Sequence, residues 1–260
     1  MSDVNVLVCV KRVPGTGSTI LLTDDGMDVD TRHLGFTIGP HEECAVEEAI
    51  RIAADHGGQV TVLTVGPAEA AEQLRDALSM GADHAVLVDT GPGELDPEAT
   101  ADALVQAVRQ LQDEAGARFD LVLFGNESAD AGHYQVGVRV ACELGLPMVG
   151  GVKGVELDTD AGTVRWRRPV AAGVEVYESS LPAAAGVAEG LNLPRYPSMR
   201  GRLRAMKAVI TTLHVDVAPS GLRKTGLRRP AEERPATVVL GSGADSAGAV
   251  VDVLEELGVA

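Results

Sequence analysis

Short apolar runs and longer stripes of apolar positions alternate along the first 150 residues. Val4 to Val10 is a compact apolar run and reads as a buried strand. A turn-rich stretch follows, Lys11-Arg12-Val13-Pro14-Gly15-Thr16-Gly17. Next, Ile20-Leu21-Leu22 and Met27-Asp28-Val29 flank Thr23-Asp24-Asp25-Gly26, a hairpin signal because Asp-Gly tolerates positive φ. The first helix comes late, from Pro40 to about His56, with Ala45, Val46, Ala49, Ile50 and Ala53 as its apolar stripe. Pro40 suits a first helical turn, and Glu42, Glu43, Glu47 and Glu48 favour the N-terminal half. Strands are then predicted at Gln59–Thr64, His84–Val88 and Leu121–Phe124. They alternate with helices at Ala68–Met80, Pro97–Ala115 and Gln135–Leu144. Repeated strand–helix units of this kind predict an α/β fold: a doubly wound, mainly parallel sheet with helices on both faces.

The pattern changes after Pro147. Gly151–Leu157, Thr163–Arg168 and Val174–Ser179 are strand-like, with a turn at Asp158–Gly162, and predict an antiparallel meander. Ala183–Val187 is placed to return to the main sheet. Leu191 to Lys207 is basic and reads as irregular. From Val215 to Pro235 periodicity is weak, which predicts an extended C-terminal arm, closed by a short strand at Thr237–Leu240 and a helix at Ala247–Leu257. The expected division is a domain of residues 1–214 and an arm of residues 215–260. No internal repeat is present.

Composition narrows the function classes. Aromatic residues are 3% of the chain, so the core must be built from Val, Leu, Ile and Ala, as parallel sheets covered on both faces prefer. Asp and Glu outnumber Lys and Arg by 38 to 22, a net charge of −16. Such a surface repels nucleic acid and anionic membranes, and it fits a salt-loving host. No apolar run approaches the ~20 residues of a membrane span, and no signal peptide precedes the first strand, so direct membrane insertion is not expected and the cytoplasm is. Cys9, Cys44 and Cys142 form no C-x-x-C pair, which argues against a disulfide framework or a cysteine metal site.

In a doubly wound sheet, ligands bind outside the carboxyl ends of the strands. The candidates are Lys11 and Arg12, Val65-Gly66-Pro67, the helix opening Gly39-Pro40-His41-Glu42, and the loop from Gly125 to Gly137. That loop has three glycines and feeds a helix N-terminus, a combination suited to an anionic phosphate, with Ser128, Asp130 and Gln135 able to add hydrogen bonds. An ordinary βα loop with capping residues gives the same pattern. There is no G-x-G-x-x-G opening a helix after a strand, no phosphate loop ending in G-K-[ST], and no G-x-S-x-G elbow. The six histidines form no metal or catalytic spacing, and no catalytic or metal-binding residue is assigned; the chain reads as a binder or carrier. Gly241–Ser246 reads as a turn and helix cap. The segment Leu191–Arg204 concentrates Arg in an acidic protein and adds Tyr196 and Met199, residue types enriched at interfaces.

Five motifs together resemble the beta subunit of electron-transfer flavoproteins. They are V-x-V-K-R-V (Val8 to Val13), P-x-x-E-x-A-V-E-E-A (Pro40 to Ala49), the G-P to G-A-D stretch from Gly66 to Asp83, the Gly125–Gly137 loop, and L-N-x-P-R-Y (Leu191 to Tyr196). The resemblance implies an adenine-nucleotide-binding domain whose arm embraces an alpha subunit. It implies a redox FAD held mostly by that subunit and an AMP with no redox role in this one. Cys9, Gly39, Pro40, His41, Glu42 and Val65 would line the nucleotide. So would Gly125, Asn126, Glu127, Ser128, Ala129 and Asp130, followed by Gly132, His133, Tyr134, Gln135 and Val136. The recognition segment, about 191–207, would offer Leu191, Pro194, Arg195, Tyr196, Met199 and Arg200 to flavin dehydrogenases such as acyl-CoA dehydrogenase. Electrons would pass on to a quinone oxidoreductase.

The chain departs from the family pattern in places. The loop reads G-N-E-S-A-D-A-G where the family often has G-x-Q-x-x-D-D-D. Gly39-Pro40-His41 replaces Asn-Pro-Phe, Thr16 stands where an aromatic is common, and the family's lysine run is reduced to Arg202, Arg204 and Lys207. Val13-Pro14-Gly15-Thr16 is similar to the opening of electron-bifurcating relatives, which carry a second FAD in place of AMP and take electrons from NADH. A third reading is an adenine-nucleotide-binding stress-type regulator, which shares the fold but lacks the arm and the L-N-x-P-R-Y segment.

Overall fold

A computed structural model describes residues 3–15, 17, 19–218, 221–230 and 237–259. Thr16 lies outside the described residues. The chain enters through β1 (Val6–Cys9) and makes a small antiparallel ribbon, β2 (Arg12–Pro14) on β3 (Phe36–Ile38). It continues through α1 (Pro40–His56), β4 (Val60–Gly66), α2 (Ala71–Met80), β5 (His84–Asp89), α3 (Pro97–Ala115), β6 (Leu121–Gly125) and α4 (Val136–Leu144). Beyond these come β7 (Met148–Val152), the meander β8 (Gly154–Asp158), β9 (Thr163–Val170) and β10 (Gly173–Ser180), and then β11 (Ala183–Val187). α5 (Met199–Lys207) and β12 (Thr211–Leu213) follow, and α6 (Ala247–Glu256) is the last helix.

The main sheet has seven parallel strands in the order β12-β5-β4-β1-β6-β11-β7. From β1 the chain runs outward through β4 to β5, then returns through α3 to place β6 on the other side of β1. The order therefore reverses between β1 and β6, and a crevice forms outside their carboxyl ends.

Strand periodicity divides the core into two layers. Val6 and Val8 of β1, Leu121 and Leu123 of β6, and Val60 and Val62 of β4 pack under α1 and α2. Leu7, Cys9, Val122, Phe124 and Leu63 point the other way, under α3 and α4. This is the alternation that a strand buried on both faces requires. Trp166 on β9 is fully buried and donates its indole N–H to Ser179 Oγ at 2.9 Å, which satisfies the one polar atom it brings inside.

Several sequence expectations need correction. The expected hairpin is reduced to one bridge, Leu22 with Val29, around Gly26 at φ 65°. The strand expected at Gly151–Leu157 is two strands in two sheets. Gly151 at φ 70° sits at a register shift inside β7, and the extended run is interrupted at Lys153, so β7 stays in the parallel sheet and β8 starts the meander. The basic segment expected to be irregular contains α5, because Ser198 caps it by accepting Gly201 N–H at 3.0 Å and strong helix formers follow. Thr237–Leu240 carries no strand pairing among the described residues. A lone four-residue run has no neighbour there to complete its hydrogen bonds.

The chain divides into two compact units, Met1–Thr225 and Gly226–Ala260. In the first, Val215 and Val217 pack on the α3 side of the core, and Lys224 bridges Asp28 and Glu94. In the second, α6 leaves Val251 and Leu254 exposed.

Candidate functional site

The crevice between β1 and β6 collects side chains from three segments. Lys11, just past β1, reaches Asp130 of the Gly125–Gly137 loop at 2.6 Å and lies 3.9 Å from Glu94. Burial tends to push the Asp130 carboxyl up, but hydrogen bonding and charge from Lys11, with help from Ser128 and the Ala131 N–H, hold it below the usual range. His41, in the first turn of α1, accepts the Glu189 N–H on Nδ1 at 3.0 Å. That bond assigns the proton to Nε2, which faces Glu127 at 3.4 Å.

The loop is held in shape by its own polar atoms. Asn126 donates its N–H to the Val187 carbonyl at 2.8 Å, and its Oδ1 accepts the Gly151 N–H at 2.6 Å. These bonds tie the loop to β11 and β7. Gly132, at φ 54°, donates to the Ser128 carbonyl at 3.1 Å. Tyr134 also has positive φ, 57°, and is an exposed side chain whose hydroxyl bonds Glu127. Gln135 precedes α4 without capping it by its side chain, and among the described residues no side chain accepts from the first N–H groups of α4.

Glu42 lies deepest. It is 4% exposed, and its carboxyl fills the space beside Gly39 and Gly125, where a Cβ would come within 2.4 Å of Oε2 and 2.7 Å of Cδ respectively. Burial pushes this carboxyl up to about 7. Cys9 is buried beneath the crevice, and burial raises its thiol well above the ordinary range. Val65 is half-buried on β4, while Ala129 and His133 are exposed on the loop. The structure thus brings Lys11, His41, Glu42, Glu127 and Asp130 together. Glu94 and Lys224, which join their edge, had no sequence signal beyond charge.

The second candidate region is the surface around α5. Leu193, Tyr196, Met199, Met206 and Val209 are each more than 70% exposed. Leu191 and Pro194 are half-buried, and Leu191 packs on the core. Arg195 turns inward: Nε and Nη2 grip the two oxygens of Glu47 at 2.7 and 3.2 Å, and its N–H adds a third bond at 3.1 Å. Glu47 is itself buried and takes Arg51 at 2.6 Å. Asn192 donates to the Cys44 carbonyl and to Glu48. Arg200 is exposed on α5. Arg75 and Arg204 cross-link α2 and α5 through carbonyls, at 2.6 Å to Ala205 and 3.1 Å to Leu78.

Gly201 lets α5 lie on the end of α2, because a Cβ there would stand 2.4 Å from the Ser79 carbonyl oxygen. Gly201→Ala is therefore expected to destabilise by about 1–2 kcal/mol even though Ala is the better helix former by up to ~1 kcal/mol. Chemical denaturation with hydrogen exchange across 199–207 reads it, and a variant as stable as the parent would show that the two helices do not meet there.

Among the described residues no helix is long and apolar enough to cross a membrane, and no group of three or more His, Cys, Asp or Glu forms a metal cage. The fold and crevice define a doubly wound α/β protein with a polar site at its topological switch point. The family model described as "Electron transfer flavoprotein domain" matches residues 27–218. The electron transfer flavoprotein subunit beta of Mycobacterium tuberculosis (strain ATCC 25618 / H37Rv) is 39% identical over 215 residues, covering 80% of this chain and 78% of that protein. The Bacillus subtilis (strain 168) subunit is 35% identical over 218 residues, 82% of this chain and 79% of the relative. That of Thermoanaerobacterium thermosaccharolyticum is 34% identical over 240 residues, 90% and 89%. The chain belongs to the electron transfer flavoprotein beta subunit family.

Proposed function

We propose that this chain is the beta half of a cytoplasmic electron-carrying heterodimer. Residues 1–214 form its nucleotide-binding domain, and residues 215–260 are an arm on the alpha subunit. Dehydrogenases such as acyl-CoA dehydrogenases deliver electrons to an FAD shared with that subunit, and a quinone oxidoreductase or another acceptor removes them. FAD supplies the redox chemistry, and this chain supplies shape and docking.

An AMP would sit at the crevice. The observation that carries this reading is the meeting of Lys11, the opening turn of α1 and the Gly125–Gly137 loop at the switch point, beside α4 N–H groups that no side chain caps. These donors fit a phosphate. The carboxyls of Glu42, Glu127 and Asp130 oppose it unless each is paired or protonated; Asp130 is already paired with the Lys11 ammonium, while Glu127 meets the His41 Nε2–H.

Two experiments test the proposal. The first is the nucleotide content of the complex purified with its co-expressed partner: one FAD and one AMP per heterodimer is expected. Two FAD would make the protein a bifurcating subunit, and a stable ATP-binding homodimer would favour the stress-type regulator. The second is Met199→Asp, which puts a charge on the exposed apolar anchor of α5. Donor affinity, read as apparent KM in the electron-transfer assay, should weaken by about 1–3 kcal/mol. An unchanged KM would remove α5 from the docking surface.

A further inference from the structure

Glu42 has a buried oxygen, Oε2, with no hydrogen-bond partner among the described residues. Its carboxyl stands where the start of α1, at Gly39, meets the start of the site loop, at Gly125. Three charged groups act on it. Asp130 faces it from the loop, Lys11 from beyond β1, and Glu43 lies beside it on α1. Lys11 is the only cation of the three, and it is held by Asp130 at 2.6 Å. His41, next along the turn, is likewise directed at Glu127. The other charges acting on Glu42 are negative, and like charge disfavours its ionised form. A phosphate arriving at the loop would add more negative charge beside the same carboxyl.

We propose that Glu42 is the residue that sets ligand charge selectivity in this cleft: with its proton it admits a phosphorylated adenine nucleotide, and ionised it discriminates against the phosphate relative to the uncharged nucleoside. This rests on the nucleotide reading above. Binding then draws a proton from solvent onto Glu42 whenever the free carboxyl is ionised, with no covalent change. Because burial has already raised the carboxyl to about 7, the transition falls near neutral pH.

The test compares dissociation constants of AMP and adenosine on the nucleotide-free heterodimer, for the natural protein and Glu42→Gln. Gln keeps the shape of the protonated acid and cannot ionise. Between about pH 6.5 and about pH 8.5, the preference for AMP over adenosine should fall roughly tenfold in the natural protein and stay within about twofold in the variant. The second ionisation of the phosphate, near ~6, is common to both proteins and cancels in the comparison. An equal pH response in the two overturns the inference and leaves the nucleotide reading standing. If AMP binds at neither pH, the nucleotide reading itself fails and the inference with it. A measurement on the natural protein alone guards against a variant that does not fold. Calorimetry at about pH 7.5 in buffers of different ionisation enthalpy should show uptake of roughly half to one proton per AMP, and no uptake overturns the inference.

Discussion

Glu42→Gln should stabilise the protein at alkaline pH and leave it unchanged in acid. The Glu42 carboxyl is raised from the ordinary value of 4.5 to about 7, chiefly because burial strips it of water. A raised carboxyl favours the native state fully below the unfolded value, and that advantage is lost as pH rises through the folded one. Between about pH 4.5 and pH 8 the loss approaches about 3 kcal/mol, since each tenfold change in proton affinity is worth ~1.4 kcal/mol. Gln carries no proton to lose. The unfolding free energies of the two proteins should therefore coincide near about pH 4.5 and separate progressively through neutrality, with the variant more stable. Other carboxylates titrate equally in both and drop out of the difference. A constant gap across pH would mean that Glu42 is solvated in the native state.

Nothing local in the sequence marks Glu42 as buried. A glutamate in the first turn of a helix ordinarily faces water and favours the helix electrostatically, and the sequence pattern around Glu42 points the same way. What buries it is the absence of side chains at Gly39 and Gly125, residues 86 positions apart that the packing of α1 on β6 brings together. Local signals do better. Pro40 and the alanine stripe bound α1 correctly, and Asp96 with Pro97 does the same for α3, where the Asp96 side chain accepts two helix N–H groups. The elements that local signals miss depend on distant partners. Arg12–Pro14 and Phe36–Ile38 are too short to show a period, and each is a strand only because it pairs with the other. Thr211–Leu213 is a strand because β5 offers an edge. The crevice is legible as a set of strand ends. The pairings within it, Lys11 with Asp130 and His41 with Glu127, are not.

The two candidate surfaces share one helix. The first turn of α1 contributes His41 and Glu42 to the crevice, and its middle turns, through Cys44, Glu47, Glu48 and Arg51, hold the chain that leads into α5. A helix buried along one face transmits position well, because its side chains have no room to readjust singly. The exposed Tyr196 and Met199 are thereby held in place relative to the first turn of α1.

Arg195→Ala tests that coupling. Arg195 grips both oxygens of Glu47 from 148 positions away, and Glu47 is 2% exposed. Burial alone would raise the Glu47 carboxyl; hydrogen bonds from Arg195 and Arg51 bring it below the ordinary range. Removing one partner of a fully buried pair costs about 3–5 kcal/mol. Here Arg195 is half-exposed and Arg51 stays on Glu47, so a loss of about 2 kcal/mol is expected. Arg195→Lys should recover little, because an ammonium cannot reproduce the two-pronged grip. A cycle with Glu47→Gln should show coupling of at least about 1 kcal/mol, since the two side chains touch. The functional effect should exceed what the stability loss explains. With the segment before Ser198 released, Tyr196 and Met199 must be ordered at each encounter, and apparent donor affinity should fall roughly tenfold while the bound flavin content stays unchanged. If donor affinity holds while stability drops, Arg195 supports the fold alone and the docking surface forms without it.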